Sequence, residues 1–116
     1  MKLIKLLLVM FIPIIGFSQT LKLGDGLQVV HFNAGWNSAA DVKWVKDLEE
    51  CKIKYCDIAT DTKSKDKHEI VVVPTIIIFN EGKEVKRYQA DISFSMKATQ
   101  KDVQEKIDEI QMEDSW

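Results

Sequence analysis

The run "IVVVPTIIIF", Ile70 to Phe79, sets the tightest limit on what this chain can fold into. From Ile76 to Phe79 it is apolar without interruption. A strand with one wet face alternates apolar and polar side chains, whereas an unbroken run is the pattern of a strand covered on both faces. The sheet containing it must therefore be a middle layer, with other elements packed above and below.

The remaining elements fit that layer. "LQVVHFNA", Leu27 to Ala34, is short, rich in Val and Phe, and bounded by glycines, so it reads as a second buried strand. Ser38 can cap a following helix, with Asp41 in its first turn. Ala40, Trp44, Leu48 and Cys51 then fall on one helical face with Val45 beside them, while Lys43, Lys46, Asp47 and Glu50 lie opposite. Ile53 to Ala59 is a further strand, and "TDTKSKDKHE" is a loop with at most a short helix. Asn80 to Lys83, with Gly82, suits a hairpin turn into the charged edge strand Glu84 to Gln89. Thr99 with Asp102 opens a last helix whose Val103, Ile107 and Ile110 share a face. A strand–helix–strand unit makes parallel neighbours, and a hairpin adds antiparallel ones. The expected fold is α/β, with a central mixed four-stranded sheet and helices on both faces.

The first 18 residues read as something other than fold. "MKLIKLLLVMFIPIIGFS" places Lys2 and Lys5 before an apolar run and ends with Gly16 and Ser18 at the −3 and −1 positions of a cleavage site. That is the layout of a secretory signal peptide. A spanning helix needs about 20 apolar residues, and Pro13 interrupts this run. The expectation is a leader over residues 1–18, one domain over 19–116, export to the periplasm or beyond, and no stable membrane anchor after cleavage. Loss of Lys2 and Lys5 lowers Lys plus Arg from 16 to 14 against 18 acids, a formal charge of −4. A mildly acidic domain of mixed charge argues against nucleic acid as a partner. His31 and His68 lie far apart with no ligand-like spacing, so neither a metal site nor a cofactor is expected.

Two segments together resemble the thioredoxin family. "VVHFNAGWNSAADVKWV" followed by "KHEIVVVPTIIIFNEGKEV" keeps Phe32, Ala34 and Trp36 of the family's F-x-A-x-W-C-x-x-C loop. It also keeps Ile70, Pro74 and Thr75 of its I-x-x-x-P-T segment, and the hairpin glycine as Gly82. The resemblance implies a thioredoxin-like fold, with Pro74 cis beside the active loop. It also implies that the backbone of Val73 is open to an extended peptide, with Trp36 flanking the groove. The alternative for these residues is structural: Pro74 starts a strand and Trp36 packs on the first helix.

The departures bear on function. The C-x-x-C positions hold Asn37, Ser38, Ala39 and Ala40, so the thiolate that attacks a disulfide and the thiol that resolves it are both replaced. The family's buried acid aligns with His31, expected to be a buried neutral histidine with a hydrogen-bond partner. The family's leading strand and helix are expected to be absent or much reduced. Cys51 and Cys56 are the two thiols of the chain, and both read as small buried hydrophobes. A bridge needs α-carbons within about 7 Å, whereas five residues of strand span roughly 16 Å. Export to an oxidising compartment and a sharp turn at Lys52 keep a disulfide open. The leading expectation is a non-catalytic domain that binds a protein or extended peptide at Trp36, Asn37, Val73 and Pro74. The competing one is a thiol–disulfide oxidoreductase, or redox-homeostasis protein, working through Cys51 or Cys56 or with a partner redox protein. A purely structural role in an envelope assembly is the third.

Overall fold

The computed structural model describes residues 20–114, so the leader expected over residues 1–18 lies outside the described residues. The elements are β1 (Leu27–Asn33), two 3₁₀ segments (Gly35–Ala40 and Lys43–Asp47), β2 (Lys52–Asp57), α1 (Thr62–Lys67), β3 (Thr75–Asn80), β4 (Lys83–Gln89) and α2 (Gln100–Asp114). One sheet of four strands runs β2-β1-β3-β4, with β1 parallel to β2 and antiparallel to β3, and β3 antiparallel to β4. This is the mixed α/β sheet expected from the sequence.

The central strands are β1 and β3, and their side chains divide by parity between two cores. Leu27, Val29, Ile76 and Ile78 meet Val42, Val45 and Leu48 from the 3₁₀ region and Val103, Ile107 and Ile110 from α2. Val30, Phe32, Ile77 and Phe79 meet Ile58, Ile70 and Val73 on the other face. Burying one such side chain is worth about 1.5–3 kcal/mol, so these two strands concentrate the hydrophobic stabilisation. Leu21 and Leu23 add to the second core. Their segment is tied down by the Leu21 N–H, which donates to Asp61 Oδ2 (2.7 Å), and by Lys54 Nζ, which donates to the Lys22 carbonyl. No strand or helix precedes β1 among the described residues, and this short extended segment covers the face instead.

The region after β1 departs from expectation. Two 3₁₀ segments stand where one amphipathic α-helix was expected, joined through the non-helical Asp41 and the extended Val42. Ser38 does not cap a helix: it sits inside the first 3₁₀ segment, whose N-cap is Ala34 with no side-chain cap bond. The apolar residues of this region also fit a second spacing. Val42, Val45 and Leu48 are the residues buried in the core, and they recur every third position, which is the 3₁₀ period. Trp44 and Cys51 still pack against that core, so the expected stripe is kept in part while the backbone differs.

The ends of the other elements follow their sequence signals. Glu81 and Gly82 both adopt positive φ, the requirement of a tight hairpin turn between β3 and β4. Thr99 and Asp102 form a reciprocal capping box on α2, with the Asp102 N–H donating to Thr99 Oγ1 (3.2 Å) and the Thr99 N–H to Asp102 Oδ2 (2.9 Å). Asp61 caps α1 by accepting the Ser64 N–H (3.0 Å) and the Ser64 hydroxyl (2.7 Å), in addition to the Leu21 N–H. Thr99→Ala removes an exposed cap and should cost about 1 kcal/mol. Asp61→Ala strips four donors at a buried site, the Cys56 thiol (3.7 Å) among them, and should cost about 2–4 kcal/mol. Urea unfolding of both variants checks this ranking, and equal losses would contradict the role given to Asp61.

Candidate functional site

The C-terminal end of β1, the start of β3 and the loop after β4 converge at one end of the sheet. β1 ends in Asn33, which is buried and ties the following loop to itself. Asn33 Nδ2 donates to the Asn37 carbonyl (3.0 Å) and to Asp41 Oδ1 (2.5 Å), and Asn37 Nδ2 donates back to Asn33 Oδ1 (3.0 Å). The Gly35 N–H donates to Asp57 Oδ1 (3.2 Å) at the end of β2. His31 is buried, as expected, and its Nε2 accepts the Val42 N–H at 3.0 Å. Burial holds its pKa below the ordinary value near 6.5, against opposing pulls from Asp41 and from its own backbone. These bonds draw the Asn37, Asp41 and Val42 backbone and side chains toward Asn33 and His31, which favours the two short segments over one continuous helix.

The loop holds Trp36 out from the sheet. Trp36 is 71 % exposed, and its ring meets Phe94 edge-on at a centroid distance of 6.0 Å and an interplanar angle of 85°. Phe94 projects from the loop after β4, which is braced by Asp91: Oδ1 accepts the Ser93 N–H, the Ser93 hydroxyl and the Ser95 N–H at 2.9, 2.6 and 3.1 Å. Between Trp36, Phe94, Ile92 and the Val71–Val73 segment lies a cavity of about 420 Å³, floored by Ile58 and Ile70 and edged by Lys65 and Asp91. Val71 is 80 % exposed and Ile92 97 % exposed. Singly exposed apolar side chains are ordinary, whereas here several gather around one cleft.

The expected site residues separate on this geometry. Trp36 and Val73 line the groove together. Asn37, Ala39 and Ala40 line a different cleft, facing Trp44 and the Ser93–Met96 loop. Ser38 lines a third, beside His31, Asp41, Tyr55 and Asp57. The Val73–Pro74 bond is cis, and the Pro74 carbonyl accepts the Ala90 N–H (3.0 Å). The Val73 side chain is only 4 % exposed and belongs to the second core. Among the described residues, the N–H and C=O of Val71 and Val73 make no hydrogen bond. Val71, Ile92 and Phe94 escaped the reading of the sequence. For Ile92 and Phe94 the signal was apolar residues inside "DISFSM", a stretch with no period that could bury them.

Cys51 and Cys56 are free thiols on opposite faces of the sheet, Cys51 against the first core and Cys56 in the second. That separation closes the possibility of a bridge between them in this fold. Burial, with Glu50 adding to it, pushes the Cys51 thiol up to about 11. Burial and the Asp61 carboxylate push Cys56 to about 12. Neither lies at a helix N-terminus, where a thiolate would gain stabilisation. No cluster of three His, Cys, Asp or Glu side chains suited to a metal ion occurs among the described residues.

Comparison by sequence finds no matching family model and no matching curated protein. Comparison by structure finds thioredoxins. A point-mutant thioredoxin of Halobacterium salinarum NRC-1 aligns with a TM-score of 0.58 at 13 % identity, over 73 % of this chain and 74 % of that one. The thioredoxin of Fasciola hepatica aligns at 0.53 and 25 % identity, over 85 % and 89 %. The reduced thioredoxin pre-protein of Schistosoma mansoni aligns at 0.57 and 22 % identity, over 73 % and 79 %. The chain has a thioredoxin-like fold.

Alkylation tests the thiol assignment. With thiol pKa values of about 11 and about 12, iodoacetamide at pH 8 should label the folded protein at least about a hundredfold more slowly than the unfolded chain, because the thiolate is the nucleophile. Rapid labelling of either cysteine in the folded protein would contradict it.

Proposed function

We propose that this chain is an exported, non-catalytic thioredoxin-like domain that binds an extended, apolar segment of a peptide or protein partner. The observation that carries the reading is the groove itself. Trp36, Val71, Ile92 and Phe94 come from three separate loops and expose their apolar surface around one cleft. The unpaired backbone of Val71 and Val73 beside them suits main-chain pairing with an extended ligand, while the side-chain pockets favour apolar residues. Trp36 and Phe94 supply large contact area with few torsions to order on binding.

Thiol–disulfide exchange finds little support in the same region. Positions 37–40 carry an amide, a hydroxyl and two methyl groups, and the two cysteines lie on opposite faces with raised pKa values. Export rests on the leader-like sequence of Met1–Ser18. Mass spectrometry of protein isolated from its host should find Gln19 at the N-terminus, and retention of Met1 would overturn that part of the proposal.

The binding test uses peptides selected from a random seven-residue library against the immobilised protein. Selected peptides should be rich in apolar residues. Val71→Arg and Ile92→Arg change exposed side chains, so the fold should persist while affinity falls about tenfold or more, given the 1.5–3 kcal/mol typical of a buried aliphatic side chain. Trp36→Ala should weaken binding more, as expected of an aromatic anchor. The unmodified protein should leave insulin disulfides intact. Reductase activity abolished by Cys51→Ala or Cys56→Ala, or binding untouched by the groove variants, would overturn the proposal.

A further inference from the structure

The bond between Val42 and His31 lies away from the groove, yet it fixes the loop that carries Trp36. Val42 is the extended joint between the two 3₁₀ segments, with φ −84° and ψ 95°, and its side chain is buried in the first core. Its N–H donates to His31 Nε2, and His31 is itself only 3 % exposed. An imidazole accepts at Nε2 only while that nitrogen is unprotonated. A proton there would set two donors against each other in a buried site, and an unsatisfied buried donor costs about 1–3 kcal/mol.

The surroundings give the charged imidazole one counter-charge close in the chain. Asp41, from the loop, is the group whose field favours the protonated ring. Tyr55 from β2 packs its ring 5.6 Å away, and Cys56 and Asp57 of the same strand line the cleft beside it. The β3 neighbour is Ile76, and α2 buries only Val103, Ile107 and Ile110 on that side of the sheet. Tyr88 of β4 and Cys51, just before β2, are the further titratable residues packed against that core. Asp41 already accepts from Asn33, so turning its carboxylate toward an imidazolium competes with the Asn33 bond.

We propose that His31 is an acid-sensitive latch on the Gly35–Val42 loop. Neutral His31 holds the loop through Val42, and protonation releases that joint and the Asn33–Asp41 bond with it, moving Trp36 relative to Phe94. The latch does not depend on any ligand in the groove. Its sign follows from burial. The folded state holds His31 below its unfolded value near 6.5, so the unfolded chain takes the proton first. The contribution to stability is complete above that value and is lost as pH falls below it toward the folded pKa.

NMR titration of the 15N-labelled protein from pH 8 to pH 4 tests the latch. The His31 ring carbons, the Val42 amide and the Trp36 indole N–H should titrate together, with one midpoint below 6.5, while His68 reports separately. His31→Gln keeps a neutral acceptor and should abolish the coupled transition at Val42 and Trp36. Asp41→Asn removes the favourable charge and should lower the midpoint, which keeps the test alive if His31→Gln does not fold. The proposal is overturned if the Val42 amide stays constant while His31 titrates. It is also overturned if the transition persists in a folded His31→Gln, or if His31 remains neutral until the whole chain unfolds.

Discussion

Two strands that leave no face to water organise this domain. Every residue of β1 is buried, as are Thr75 to Phe79 of β3, and their side chains alternate between two separate cores. Each face then needs its own cover, because an exposed sheet face of Val, Ile and Phe would forfeit the burial that holds the fold. The 3₁₀ region and α2 cover one face. The short α1, its flanking loops and the Leu21–Leu23 segment cover the other. The loops that leave the ends of β1 and enter β3 are thereby fixed beside each other, and the groove forms where they meet the loop after β4.

Much of this was legible in the sequence, for a physical reason. The unbroken run Ile76–Phe79 and the compact "LQVVHFN" carry a period that only buried strands satisfy, and Thr99 with Asp102 is a cap that works through local bonds. The region from Ser38 to Cys51 misled because two periods fit it. Ala40, Trp44, Leu48 and Cys51 suit an α-helix, while Val42, Val45 and Leu48 suit a 3₁₀ coil. The choice between them involves long-range bonds from Asn33 and His31, which no local pattern records. The groove was half legible. Trp36 and Val73 line it but Pro74 does not, and Ile92 and Phe94 reach it only through the path of the loop after β4.

The thioredoxin-like framework persists at 13–25 % identity to the thioredoxins compared with it. In the loop after β1, the Asn37 side-chain amide donates to Asn33 Oδ1. The histidine at the centre of β1 serves the loop backbone as an acceptor. The region presents an aromatic pair, a rim of exposed aliphatic side chains and, among the described residues, unbonded backbone groups at Val71 and Val73.

The central claim is that this shape receives a ligand, and chemical-shift mapping tests it most directly. A library-selected apolar peptide titrated into the 15N-labelled protein should perturb the amides of Trp36, Val71, Val73, Ile92 and Phe94, together with the Trp36 indole. Perturbations confined instead to the cleft of Ala39, Trp44 and Met96, or to the outer face of α2, would contradict the account.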